Sequence, residues 1–195
     1  MRILGIDPGI ATTGFGVIET TDHYDYQMLD YGCIKTESRF IFSERLQQIY
    51  KDMQILLKKW RPTAIAIEEL FFNKNVKTAI TVAQARGAMM QQFAVAKYEI
   101  AEYKPQQIKE AVCGYGKAEK KQLQKMVQLI LKLPYMPTPD DAADALAVAI
   151  CHANSMKFHH LTSGGNLRFP PGTPRQASEP PPPSHVFKRE PTRPA

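Results

Sequence analysis

An α/β fold, a mixed β-sheet with helices packed on its faces, is what this 195-residue sequence predicts. Three observations carry the expectation. Residues 2–6 and 15–19 are apolar, extended-looking segments on either side of a Gly- and Thr-rich turn, and MLDYGCIKT at 28–36 continues the hairpin as a third antiparallel strand. The hydrophobic period then lengthens from two residues to that of a helix after Ser43. From there helix and strand patterns alternate, as they do where crossovers join parallel strands.

The elements follow in order. Ser43 is placed to cap a helix over 43–60, in which Leu46, Ile49, Tyr50, Met53, Leu57 and Trp60 recur at helical spacing before Pro62 stops it. TAIAI at 63–67 reads as a short buried strand, 77–97 as a second helix and EIAEY at 99–103 as a fifth strand. Helices follow at 105–113, 118–132 and 139–154. A right-handed crossover through the helix at 43–60 brings strand 63–67 back parallel to the first strand and beside it.

Those two strands match position by position. ILGID at 3–7 and AIAIE at 64–68 set Leu4 and Ile6 against Ile65 and Ile67 on one face, and Gly5 against Ala66 on the other. Both end in an acid. Asp7 followed by Pro8-Gly9 is, taken alone, ordinary turn chemistry. As parallel neighbours, however, Asp7 and Glu68 leave the sheet at one carboxyl edge, where open α/β sheets hold their ligands. Two carboxylates about 4 Å apart repel by roughly 4 kcal/mol at an effective dielectric of 20, and a divalent cation is the simplest group to offset that.

A third acidic element is TPDDAADALAVAI at 138–150. Thr138 as N-cap, Pro139 at the first helical position, and Asp140 and Asp141 at the positive end of the helix dipole would account for these residues by capping alone. Asp144 lies one turn further in. It shares a face with Asp141 at spacing i, i+3, next to the stripe Ala143, Leu146, Ala147 and Ile150. Either capping or convergence on Asp7 and Glu68 accounts for this pattern.

Composition bounds the function. A formal net charge of +6 favours an anionic partner such as nucleic acid. Three scattered cysteines, Cys33, Cys113 and Cys151, argue for neither a disulfide framework nor a zinc cluster, and fit a reducing cytoplasm. No secretory leader is expected, and the run AADALAVAIC at 142–151 is too short to span a bilayer, so no membrane role is expected. The tail, residues 159–195, holds nine of the fifteen prolines from 161 onward and reads as disordered and partly polyproline II, outside a folded domain of residues 1–158.

Asp7 in IDPG, Glu68 in IEE, and Asp141 with Asp144 in DAADALA, in that order on that topology, resemble the RuvC family of Holliday-junction resolvases within the ribonuclease H-like superfamily. GIDPGIATTGFGVIE, AIEELFFNKNVKTAITVAQARGA and GYGKAEKKQLQKMVQLILKLP extend the resemblance over about residues 1–155. It implies a five-stranded mixed sheet, the first three strands antiparallel and the others parallel to the first, flanked by helices. It implies a homodimer that nicks two strands of a four-way DNA junction symmetrically, with the RuvA–RuvB branch-migration complex as partner. The catalytic, metal-holding carboxylates carry over to Asp7, Glu68, Asp141 and Asp144; some relatives have His at the Asp141 position, and Asp140 is an additional acid.

Oxygen donors of this kind suit Mg²⁺ or Mn²⁺, two ions per site, activating water and stabilising the departing 3′ oxygen without a Ser, His or Cys nucleophile. The resemblance also points to DNA contacts from Phe71, stacking on bases, and from Lys109 and Lys120, with Arg86 a further candidate. Phe72 competes with Phe71 for that role, and core packing competes for both. The glycines of GYGK at 114–117 offer a phosphate cradle before a helix. Lys121 and Lys125 fall on the solvent side of their helix. Two other functions share these features: a nuclease of the same superfamily acting on RNA–DNA hybrids, and a junction-binding protein without catalysis.

Overall fold

The computed structural model describes residues 1–20, 25–70 and 76–162. Five strands, β1 (Arg2–Asp7), β2 (Thr12–Thr20), β3 (Tyr26–Lys35), β4 (Ala64–Glu68) and β5 (Ile100–Tyr103), form one sheet in the order β3-β2-β1-β4-β5. β1 pairs antiparallel with β2 and parallel with β4, in the register Leu4↔Ile65 and Ile6↔Ile67 that the matching pentapeptides predict. β2 begins at Thr12, so the turn after Asp7 is confined to residues 8–11, shorter than the sequence pattern indicates.

Alternation along the central strands separates two cores. Leu4, Ile6, Ile65 and Ile67 face α1 (Phe42–Trp60) and α2 (Val76–Val95), where Ile49, Met53, Met89 and Phe93 cover them. Each such side chain contributes about 1.5–3 kcal/mol when fully buried. Ile3, Ile18, Ala64 and Ala66 face the other way, toward α3 (Pro105–Cys113), α4 (Lys120–Ile130) and α5 (Asp140–Thr162).

Several local expectations change. α1 starts at Phe42, with Ile41 rather than Ser43 as N-cap; the Ile41 N–H donates to Glu44 Oε2 at 3.2 Å, which replaces a hydroxyl cap. Tyr50 is exposed, because the buried stripe runs through Leu56 instead. Gly114 is the left-handed C-cap of α3, φ 83°, and its N–H is spent on Glu110 O at 2.9 Å, while α4 starts only at Lys120. GYGK therefore opens as a helix stop, with the Gly114 amide taken up by α3.

α5 differs most from expectation. Pro139, not Thr138, stands at its N-cap, and the Pro139 carbonyl accepts from the N–H groups of Ala142 and Ala143 at 3.1 and 3.3 Å. The helix continues to Thr162, past both the expected end at 154 and the expected start of the tail at 159. Ala142, Ala143 and every residue from Ala145 to Ala153 are buried. A single apolar stripe is not enough for this helix, because the sheet covers one side and α3 and α4 cover the other. Among the described residues no helix is long and apolar enough to cross a membrane. Phe71, Phe72 and residues 163–195 lie outside the described residues.

Candidate active site

Why β1 ends on a carboxylate follows from what holds the turn beyond it. Thr13 Oγ1 donates to Gly9 O at 2.6 Å, and Thr36 Oγ1 donates to Ile10 O at 2.5 Å while accepting from Arg45 Nε at 2.9 Å. A Cβ on Gly9 would lie 2.0 Å from Thr12 O, so the chain folds back only because residue 9 has none. Thr13, Thr36 and Arg45 fix the backbone that presents Asp7. Their contribution is not legible in sequence, since each acts across strands.

Glu68 is fixed in a comparable way. It is the last residue of β4, and the next N–H, of Glu69, donates to Tyr103 O at 2.8 Å. Arg86 donates through Nε to the Glu68 carbonyl at 3.3 Å and is ion-paired through Nη2 with Glu102 Oε2. Its side chain is only 15% exposed. Arg86, expected among the DNA contacts, is thus engaged with the Glu68 backbone and with Glu102. Tyr103 in turn shares a 2.8 Å hydrogen bond with Nδ1 of His152, which burial holds neutral with its pKa lowered to about 4.

Asp7 and Glu68 stand on the same face as Ile3, Gly5, Ala64 and Ala66, the face covered by α5. Small residues let that helix come close. A Cβ on Gly14 would fall 1.9 Å from Asp141 O, and one on Gly5 would fall 2.2 Å from Ala145 O. The first turns of α5 are thereby pressed against the ends of β1 and β2, bringing Asp141 and Asp144 to the two strand-end acids.

The four carboxylates interact. Burial, then the charges of Glu68, Asp144 and Asp141, push Asp7 up to about 8 from its ordinary 3.8. Burial and then Asp144 push Glu68 up to about 7, against the pull of Lys109 and Lys120. Asp144 is also raised, by burial first, with Lys120 opposing. The site holds more negative charge than it can keep ionised unaided. Cys33, paired with Gly14 across β2 and β3, belongs to the same neighbourhood: burial and then Asp141 raise its thiol.

Two cations lie alongside. Lys120 Nζ is 3.3 Å from Asp144 Oδ2 and 3.4 Å from Asp140 Oδ2. Lys109 joins Lys120, Glu68 and Asp144 in lining an open cleft of about 140 Å³, with Ile108 and Leu123 as its apolar part. Lys121 and Lys125 are exposed, as expected. Among the described residues no three carboxylate, thiol or imidazole groups stand in ligand geometry about a common point. The donor set still fits a hard divalent cation: carboxylate oxygens from three separate elements, three of the four carboxyls raised by burial and mutual repulsion.

A family model described as crossover junction endodeoxyribonuclease RuvC matches residues 3–152. The chain belongs to the RuvC family. RuvC proteins of Ruminiclostridium cellulolyticum and Syntrophomonas wolfei are 52% and 53% identical, over 87% and 81% of this chain and 100% and 91% of their own. The structure of T. thermophilus RuvC in complex with a Holliday junction substrate superposes with a TM-score of 0.74 at 30% identity, covering 90% of this chain and all of that one. Sheet order and strand directions agree with what the RuvC resemblance implies.

Proposed function

We propose that this RuvC-family protein is a metal-dependent crossover junction endodeoxyribonuclease that nicks two opposed strands of a four-way DNA junction, with Asp7, Glu68, Asp141 and Asp144 as its catalytic carboxylates. One observation carries the reading: two acids end parallel neighbouring strands, and the first turns of α5 are pressed onto that edge with two more. The junction substrate is supported by the activity for which the relatives are named and by the junction-bound T. thermophilus protein.

Asp7, Glu68, Asp141 and Asp144 would hold Mg²⁺, or Mn²⁺ in its place, as two ions. When bound, such ions supply Lewis-acid stabilisation of charge on the scissile phosphate and an ionised water at neutral pH. The chain's own residues do the rest. Thr13, Thr36 and Arg45 fix the Asp7 turn, Arg86 fixes the Glu68 carbonyl, and Lys109, beside Glu68 in the cleft, offsets phosphate charge. Phe71, three residues beyond Glu68, is assigned to stacking on bases opened at the branch point.

A homodimer supplies two sites for two nicks. Ile55 on α1, with Ile80 and Val95 on α2, are exposed large apolar residues that a second copy would gain by covering. The RuvA–RuvB complex as partner rests on family membership, and a cytoplasmic location on three unpaired cysteines. The nuclease domain is assigned to residues 1–158 and the tail to 159–195, with α5 running across that boundary to Thr162.

The deciding experiment compares Mg²⁺-dependent cleavage of a fixed four-way junction, an RNA–DNA hybrid and a linear duplex, with the protein's mass measured by sedimentation. Paired nicks on the junction alone, by a dimer, are expected. Hybrid cleavage without junction cleavage would overturn the substrate. Junction binding with no cleavage would overturn the catalytic role.

Lys109→Ala is expected to weaken junction binding and to lower the slope of log K against log salt by about one, as when the protein neutralises one phosphate fewer. Lys120→Ala should change the slope less, because Asp140 and Asp144 already engage that ammonium. Fluorescence anisotropy across a salt series measures both, with exposed Lys125→Ala as control. An equal slope change for all three would replace the specific contact by a diffuse field.

A further inference from the structure

We propose that Asp140 is a positioning residue: it shares Lys120 with Asp144 and so sets how readily Asp144 is freed to take up a divalent cation. The inference rests on the reading of Asp144 as a metal ligand and adds to it a residue outside the catalytic four.

Asp140 and Asp144 are one turn apart on α5, at i and i+4, and Lys120 Nζ stands 3.4 and 3.3 Å from their Oδ2 atoms. Their surroundings differ. Asp144 is 21% exposed and turned to the cleft, whereas Asp140 is 58% exposed. Asp140 is nevertheless held: its Oδ1 accepts from Gln124 Nε2 at 2.6 Å, and Gln124 is buried, 6% exposed, one turn beyond Lys120 on α4. One face of α4 thus presents a cation and an amide four residues apart to one acid of α5.

An ammonium 3.3 Å from a carboxylate competes with a metal ion for that charge. A second carboxylate, fixed at nearly equal distance, divides the ammonium's attraction and gives it a partner to remain with when Asp144 turns to the metal. Without Asp140, Lys120 would close on Asp144 alone. Metal uptake would then have to break the full pair.

The test is titration of Mn²⁺ into the full-length, DNA-free protein by calorimetry. Asp140→Asn, which keeps an acceptor for Gln124, is expected to weaken Mn²⁺ binding roughly three- to five-fold, the scale of one partly exposed ion pair. In the Lys120→Ala background the same substitution should have no effect. Gln124→Leu leaves the net charge unchanged and is expected to act in the same direction, more weakly, again only when Lys120 is present. Asp140→Glu should restore binding.

Equal weakening by Asp140→Asn with and without Lys120 would show simple loss of local negative charge and overturn the proposal, as would no change in either background. Asp144→Asn separates the two levels. If it leaves Mn²⁺ affinity unchanged, the metal assignment fails and this inference with it; if it weakens binding while Asp140→Asn acts independently of Lys120, this inference alone fails.

Discussion

Asp7→Asn is expected to leave the fold and junction binding in place while lowering Mg²⁺-dependent cleavage by roughly three orders of magnitude or more, the equivalent of about 4 kcal/mol of transition-state stabilisation. The same substitution should stabilise the metal-free protein at alkaline pH. Folded Asp7 keeps its proton up to about pH 8, whereas the unfolded chain loses it near the ordinary 3.8. Between those values the folded state binds the additional proton, so stability falls as pH rises through the window. Glu68, raised to about 7, adds to the fall in the same direction. Melting temperature in EDTA should therefore decline from about pH 4 to pH 8 in the parent protein and much less in Asp7→Asn. Divalent ion should restore stability at pH 8 in the parent alone, because binding requires the deprotonated carboxylates. An Asp7→Asn protein with the parental pH slope, or with parental turnover in magnesium, would remove Asp7 from the site.

Gly14→Ala should be among the most damaging single methyls at the described glycines. Its Cβ would lie 1.9 Å from the Asp141 carbonyl oxygen and 2.5 Å from the carbonyl carbon, backbone atoms that no side-chain rotation can move aside. Overpacking of a tight core typically costs about 1–3 kcal/mol, and a clash with helix backbone belongs at or above the upper end. The strain also falls on the turn of α5 that bears Asp141, so the part that remains folded should cut poorly. Gly87→Ala is the contrast: nothing lies within 4 Å of its Cβ, and within α2 the change should be neutral or stabilise by up to about 1 kcal/mol. Thermal melts and cleavage per folded molecule, measured on the same preparations, distinguish the two. A Gly14→Ala protein with parental stability would mean that α5 does not lie against β2.

Much of this site is legible in sequence because its two strand-end acids obey local rules. Alternation places Asp7 and Glu68 on one face, and the matching pentapeptides set the register of β1 and β4. The helix at 105–113 is likewise bounded by its own Pro and Gly. What sequence does not carry is decided by partners far along the chain. Pro139 takes the N-cap position in preference to Thr138, and α5 loses its one-sided pattern because two layers enclose it. Arg86 is read as a candidate DNA contact, and its contacts with Glu102 and the Glu68 carbonyl are set by residues distant in the chain. Asp140, read in sequence as an acid suited to the positive end of the helix dipole, gains specific partners only when α4 brings Lys120 and Gln124 beside it.

The enclosure of α5 bears on when a nuclease of this kind becomes able to cut. Every strand among the described residues ends before residue 104, yet the Gly- and Ala-lined side of the sheet is covered by the helix beginning at Asp140. Two of the four acids arrive with it. A chain ending before residue 140 would carry Asp7 and Glu68 without the other two carboxylates or the helix that positions them. The contacts that complete the site join residues as distant in the chain as Gly14 and Asp141, and such long closures form late and slowly. The four acids thus come together only where α5 docks on β1 and β2.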